Sequence, residues 1–220
     1  MRRALAMARR GIGLTAPNPS VGCVLVKDGK IIGRGHTQPG GRPHAETVAL
    51  AAAGTQARGS TAYVTLEPCD HTGKTGPCSE ALIAAGVVRV VVATADPDPR
   101  VNGGGLERLR RHGVDVMVGC CEAEARRVTA GFLSCTERGR PHVSLKLATS
   151  LDGKIALANG ESQWITGPEA RMHGHMLRAH SDAIMVGVGT VLADDPSLTC
   201  RIAGLEAASP MPVVLDERLD

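Results

Sequence analysis

The residues best placed to do chemistry stand between His44 and Cys78. His44-Ala45-Glu46 is followed by Glu67-Pro68-Cys69-Asp70-His71-Thr72-Gly73-Lys74-Thr75-Gly76-Pro77-Cys78. His44, Cys69 and Cys78 are candidate zinc ligands, because two thiolates and one neutral imidazole cancel the ion's charge and leave a fourth position open. Water at such a position falls in pKa from ~15.7 towards ~7, though less with two thiolate donors than with three imidazoles. Glu46, two residues past His44, is the candidate catalytic residue. It can take the water's proton, pass it to a ring nitrogen and protonate a departing amine. The chemistry expected is therefore hydrolytic deamination.

His-x-Glu followed by Pro-Cys-x-x-Cys marks zinc nucleobase deaminases. Here the two cysteines stand nine positions apart rather than three, so the inserted loop needs a task of its own. A purely structural zinc is the alternative, and it would want a fourth protein ligand, which His71 could supply. His112, His173, His175 and His180 fall on expected helices and read as packing or surface residues.

Composition narrows the field. Of 220 residues, 43% are hydrophobic, and no apolar run approaches the ~18 residues that a membrane span needs. The net charge of +3 is spread out, and Phe, Tyr and Trp occur once each. That leaves little on which to stack bases, so nucleic acid is not an expected partner. Seven cysteines, two of them adjacent at Cys120 and Cys121, suit a reduced cytoplasmic compartment better than a disulfide framework. The Arg-rich opening has the composition of a transit peptide. Leu5, Ala8 and Ile12 share one helical face, however, and a first helix ended by Gly11 and Gly13 is the expectation.

The elements that must carry these residues follow from pattern. Residues 21–26 and 31–35 read as strands joined by Lys27-Asp28-Gly29-Lys30, a hairpin signal. A helix is expected over 44–53 and a strand over 62–66. Another helix, capped by Ser79, should run to Ala85. Residues 87–93 are almost uninterrupted valine, as in a buried central strand. A helix over 106–112 and a strand over 114–118 complete an alternation that argues a three-layer α/β sheet closing near Phe132. Further on, residues 142–149 alternate like a strand. Thr166 and Glu169 form a capping box for a helix through Ala179, and residues 183–187 and 212–215 read as strands.

The long cysteine loop resembles that of the bifunctional riboflavin-biosynthesis deaminase/reductase family. The resemblance extends through Pro17-Asn18-Pro19-Ser20-Val21-Gly22, Gly35-His36 and Ala95-Asp96-Pro97-Asp98-Pro99. It continues through Lys146–Lys154, Ser162-Gln163-Trp164-Ile165-Thr166 and Gly189–Pro196. It implies a cytidine-deaminase-like domain over 1–138 and part of a dihydrofolate-reductase-like domain over 139–220. The implied reaction is deamination of 2,5-diamino-6-ribosylamino-4(3H)-pyrimidinone 5′-phosphate, followed in the family by NADPH-dependent reduction of the ribose. The implied ligand set is His44, Cys69 and Cys78, with Glu46 as proton shuttle. Asn18, His36, His71, Lys74 and Asp96 would contact the phosphorylated pyrimidine. Their plainer readings are turn formation for Asn18 and Asp96 and a solvated loop for His71 and Lys74. Where the family usually has Asp-Pro-Asn-Pro, this chain has Asp98, a second carboxylate near an anionic substrate.

For the second domain the resemblance implies nucleotide contacts at Ala148, Trp164, Thr190 and Asp194, and substrate contacts at Ser162, Arg178, Leu198 and Arg201. A core role for Trp164 and solvated roles for the two arginines are the alternatives. The family's glycine-rich phosphate loop would lie past Asp220, so the expectation is a chain that deaminates but does not reduce. A homo-oligomer with a small-molecule substrate is expected, without membrane or nucleic-acid partners. The rival functions are another zinc nucleobase deaminase and a non-catalytic zinc-stabilised binding module.

Overall fold

Asp28 and Gly29 both adopt positive φ, at 50° and 71°, the combination that a tight hairpin with right-handed strand twist requires. They join β1 (Gly22–Lys27) antiparallel to β2 (Lys30–His36). The computed structural model describes residues 1–71 and 76–218. It forms two units, Met1–His142 and Val143–Asp220. In the first, β3 (Thr61–Val64), β4 (Arg89–Val92) and β5 (Asp115–Val118) complete a five-stranded sheet in the order β2-β1-β3-β4-β5. β3 runs antiparallel to β1, while β4 and β5 continue parallel to β3.

Register decides which side chains meet. Leu25, Ala62, Val90 and Val116 lie in one row across the sheet, and Cys23, Val64 and Val92 in the next row on the same face. Over this face lie α2 (Ala45–Ala53), α3 (Cys78–Ala84) and α4 (Gly104–Arg111). Ala45, Ala49, Ala53, Leu82, Leu106 and Leu109 join those strand residues in a single buried cluster. α2 presents only alanines at spacing four because it lies almost on the backbone of β2. A Cβ at Gly33 or Gly35 would run into the carbonyl oxygens of Ala49 and Ala45. The opposite face is covered by α1 (Arg2–Ala8) and α5 (Glu122–Val128), where Leu5 and Ala125 pack with Ala93. α6 (Ala130–Arg138) follows, with Phe132 against the main cluster. The unit is thus the three-layer α/β arrangement that the alternation implied.

The second unit contains α7 (Pro168–Ala179), β6 (Ala183–Gly187), α8 (Val188–Asp194) and β7 (Met211–Leu215). β6 and β7 pair in parallel, from Ala183 opposite Met211 to Gly187 opposite Leu215. No helix among the described residues is long and apolar enough to cross a membrane.

Three local expectations fail for identifiable reasons. Residues 142–149 form no strand. Val143, Leu145 and Leu147 alternate as expected but stay exposed, and an extended segment becomes a strand only where a neighbour completes its hydrogen bonds. Thr166 does not cap α7. Pro168 at the first helical position forces the preceding residue to be extended, so the cap falls on Gly167 at φ −69°, ψ 172°. Ser79 does not cap α3 either. The helix begins one residue earlier, at Cys78, with Pro77 as its cap.

Candidate metal centre and active site

Three separate elements bring the ligand candidates together. His44 is the extended cap residue of α2, Cys69 follows the end of β3, and Cys78 is the first residue of α3. His44 Nδ1 lies 3.3 Å from Cys78 Sγ and 3.6 Å from Cys69 Sγ, and all three ligand atoms fall within 4.8 Å of one another. His71, the one residue that could have closed a structural tetrahedron, is outside this cluster. Two sulfurs and an imidazole nitrogen at such separations, with no fourth protein ligand among the described residues, suit zinc with an open position.

Charge is concentrated on the sulfurs. The Cys78 thiol donates to Cys69, and with His44 beside it the Cys69 thiol is pulled down to about 4. The same hydrogen bond, together with burial, holds the Cys78 thiol up. One proton is thus shared between the two sulfurs, and it is the proton a dication would displace.

Glu46 is the second residue of α2 and only 3% exposed. Burial first, then the Cys69 charge, raises its carboxyl to about 7. His44 and the Cys78 thiol, which hydrogen-bonds the carboxylate, act in the opposite direction. A dication held by the sulfurs would favour the charged carboxylate and so act against burial. In the absence of the cation Glu46 stands near the midpoint where a carboxyl both gives and takes protons at neutral pH. On its other side Cys23 on β1 is wholly buried, and its thiol is pushed up by burial and by the Glu46 charge.

Two networks hold this arrangement. The buried Glu67 carboxylate accepts N–H groups from Asp96 (3.2 Å), Gly103 (3.2 Å), Gly105 (3.1 Å) and Leu106 (3.4 Å). It thereby ties the Cys69 approach to the loop after β4 and to the start of α4. A buried carboxylate is tolerable only when so satisfied. Gly105 is required beside it, since a Cβ there would enter the Pro68 carbonyl. Asp70 accepts from the Ser79 hydroxyl at 2.6 Å and pairs with Arg108, fastening the residues next to both cysteines to α4.

Four other candidates of the first unit lie among the described residues. Asn18 donates from Nδ2 to Gly41 O at 2.9 Å, in the loop leading to His44. His36 Nδ1 faces the Thr37 carbonyl at 2.9 Å. A carbonyl can only accept and lies nearer than the Gln38 amide nitrogen at 3.4 Å, so in the neutral ring Nδ1 carries the hydrogen and Nε2 is an acceptor. His71 Nδ1 is buried without a hydrogen-bond partner among the described residues. Asp96 is buried and accepts the Asp98 N–H at 2.9 Å. Lys74 lies outside the described residues.

In the second unit, Arg178 on α7 donates to Thr199 O at 2.8 Å. Arg201 donates its N–H to His175 Nδ1 at 3.3 Å and its guanidinium to Ser197 at 2.7 Å. Leu198, at φ 51°, is buried between them in sequence. Arg178, Leu198 and Arg201 are therefore brought to one place. Ser162 is exposed, in the irregular segment that precedes α7. Ala148 lines a cavity with Lys146, Leu147, Thr166, Ala170 and Leu177. Thr190 and Asp194 stand one helical turn apart on α8. Trp164 is no core residue: it is 69% exposed, with the Arg171 guanidinium 4.3 Å over its ring.

Residues 1–94 match the sequence family described as the cytidine and deoxycytidylate deaminase zinc-binding region, and residues 141–220 match the RibD C-terminal domain. The riboflavin biosynthesis protein RibD of Escherichia coli is 55% identical over 206 residues, which are 94% of this chain and 56% of that protein. That of Aquifex aeolicus is 49% identical over all 220 residues and 62% of its own length. A solved Thermotoga maritima diaminohydroxyphosphoribosylaminopyrimidine deaminase/5-amino-6-(5-phosphoribosylamino)uracil reductase superposes with a TM-score of 0.93 at 44% identity. The alignment covers 99% of this chain and 62% of that one. The chain belongs to the riboflavin-biosynthesis deaminase/reductase family. It spans less than two thirds of the length of these relatives.

Within this family member, Glu67, Asp70 and Arg108 are the supporting residues that sequence reasoning passed over. Glu67 did carry a signal, as an acid directly after a buried apolar strand. Its four donors come from the loop after β4 and the start of α4, whose approach no local pattern reveals.

Asp96 offers a test of the site's electrostatics. Burial, with the Asp98 and Glu67 charges, lifts its carboxyl from 3.8 to about 6. Between those values the folded state binds more protons than the unfolded, so this group's stabilising contribution is complete below about 3.8 and is lost as pH rises towards 6. Asp96→Asn cannot ionise and keeps an oxygen for the Asp98 N–H. It should match the parent at pH 4 and exceed it at pH 7 by on the order of 2 kcal/mol. Calorimetric melting of both proteins across this range checks it, and parallel curves would remove the shift from Asp96.

Proposed function

We propose that this chain hydrolytically deaminates 2,5-diamino-6-ribosylamino-4(3H)-pyrimidinone 5′-phosphate, acting in the cytoplasm as a homo-oligomer. The observation that carries this reading is Glu46, a fully buried carboxyl with a raised pKa against a cluster of two thiols and an imidazole. A structural zinc site has no use for such a group, whose burial costs stability.

His44, Cys69 and Cys78 would hold the zinc, which when bound supplies Lewis acidity for the activation of water. The protein's own part is proton traffic and positioning. Glu46 accepts a proton from the attacking water and hands it to the ring nitrogen next to the amine-bearing carbon. It then takes the second proton from the hydroxyl now on that carbon and delivers it to the amine, so that the carbonyl forms as ammonia rather than amide leaves. A carboxyl poised near pH 7 serves each direction without a large barrier. His36 Nε2 is available as an acceptor for ribose or base N–H and O–H groups. Asn18, held by Gly41, keeps its amide oxygen for the same purpose. His71 Nδ1 has a hydrogen-bonding valence still to fill, and Lys74 would supply an ammonium for an anionic or carbonyl group.

The second unit is of the NADPH-dependent ribosyl reductase type. Ala148, Trp164, Thr190 and Asp194 are proposed for the nucleotide, and Ser162, Arg178, Leu198 and Arg201 for the substrate. The exposed Trp164 is a built-in reporter. A saturable change in its fluorescence on titration with NADPH supports this set, and a flat titration removes it.

Ammonia release from the pyrimidine ribosyl phosphate by zinc-loaded protein is the direct test of the deaminase reading. Release from cytidine or guanine but not from this substrate would favour another nucleobase deaminase. Lys74→Ala should raise KM more than it lowers kcat if the ammonium contacts a group already present in the ground state. The reverse pattern would place Lys74 in the transition state.

A further inference from the structure

The turn after β4 contains a charge pair that the deamination chemistry leaves unused. Asp98 is buried at 9% exposure, and the Arg100 guanidinium holds its carboxyl below the usual range. Arg100 donates to Oδ1 from its backbone N–H (2.9 Å) and from Nε (3.0 Å), and to Oδ2 from Nε (3.1 Å) and Nη2. The Asp98 carbonyl takes the N–H groups of Val101 and Asn102 at 2.8 and 3.0 Å, and its own N–H goes to Asp96 Oδ1. Asp98 is thus locked within the turn. The Arg100 side chain is 72% exposed, and its Nη1 has no partner among the described residues.

The surroundings give this pair its significance. Asp96, two residues earlier, is a candidate substrate contact, and His71 acts electrostatically on Asp98. Without Arg100, an anionic ligand entering here would meet two carboxylates within three residues of one another. With it, Asp98 is neutralised and a guanidinium face remains open towards solvent. We propose that Arg100 makes this site selective for the 5′-phosphorylated pyrimidine nucleotide over its uncharged nucleoside, by cancelling Asp98 and presenting positive charge at the rim. The proposal rests on the deaminase reading above.

An uncompensated charge ~8 Å from a phosphate, at an effective dielectric of ~40, changes binding about fivefold. The test measures calorimetric affinity for the pyrimidine ribosyl phosphate and for the nucleoside made from it. It is made in a Glu46→Gln background, so that nothing turns over. Arg100→Ala should weaken nucleotide binding about fivefold and leave nucleoside binding within about twofold. Adding Asp98→Asn should restore the nucleotide affinity, because the repelling carboxylate is then gone. Arg100→Lys keeps the charge without the fork, and its nucleotide preference should survive even if the turn loosens.

Equal losses for both ligands in Arg100→Ala, or no rescue by Asp98→Asn, would overturn the proposal. If the parent deaminates the nucleotide while the Arg100→Ala protein binds it normally, the Arg100 assignment falls alone. If the parent neither deaminates nor binds the nucleotide, the deaminase reading falls and takes this inference with it.

Discussion

Glu46→Gln should lower deamination by about 10²–10⁴-fold, or more if all the proton transfers fail together, while zinc content stays that of the parent. The amide has the carboxylate's shape and can keep an oxygen towards the Cys78 thiol, but it can neither accept nor deliver a proton at neutral pH. The direction of the stability change makes the test sharper. Burial raises the Glu46 carboxyl from 4.5 to about 7, so the native fold disfavours its charged form. The stability present below about 4.5 is lost as pH rises through 7. Replacing it with a neutral amide should therefore raise the melting temperature at pH 8 relative to the parent when both are compared free of zinc. A residue whose removal stabilises the fold and abolishes turnover is held for chemistry. Activity within threefold of the parent would remove Glu46 from the mechanism, whatever the calorimetry showed.

Most of the first unit was legible because its signals are local. Asp28-Gly29 requires positive φ, the valine run is buried on both faces from Val90 to Val92 although Val88 before it is exposed, and the spacing of Ala45, Ala49 and Ala53 gives α2 its inward stripe. The clustering of His44, Cys69 and Cys78 was legible for a different reason. Thiols and an imidazole beside an acid have few joint uses, so residue type alone narrowed the chemistry before any distance was known.

What the sequence withheld depends on encounters between distant segments. Nothing near Glu67 announces that Gly103, Gly105 and Leu106 will bring their N–H groups to it, some forty residues later in the chain. Asp98 reads as an unwelcome second carboxylate until Arg100 is seen folded back upon it. In the second unit the alternation at Val143, Leu145 and Leu147 is a genuine strand pattern without a partner strand, since period-two hydrophobicity gives a face and not a neighbour. At Thr166 a capping signal lost to a stronger one, because the fixed φ of Pro168 sets where the helix begins.

Cys69→Ser and Cys78→Ser should each empty the metal site. A serine hydroxyl does not ionise near neutral pH and is a harder donor than a thiolate, so the remaining pair of ligands cannot hold zinc with its charge balanced. Loss of even an outer-shell partner typically costs 10–100-fold in metal affinity, and loss of a direct ligand should exceed that. The same change must appear in stability. A ligand that binds only the folded state, at 100 times its dissociation constant, contributes about 2.7 kcal/mol. For a protein of this size that is about 5–10 °C in melting temperature. Both variants should therefore melt at the same temperature with and without added zinc, whereas the parent should melt higher with it. The apo forms allow a finer distinction. Cys69 Sγ accepts the Cys78 backbone N–H at 3.4 Å, so Cys69→Ser should also loosen the start of α3. Cys78 is almost wholly buried at 2% exposure, and its replacement should be felt through packing instead. Full retention of zinc in both variants would mean that His44, Cys69 and Cys78 are not the ligands, and the proton-transfer role of Glu46 would lose its setting.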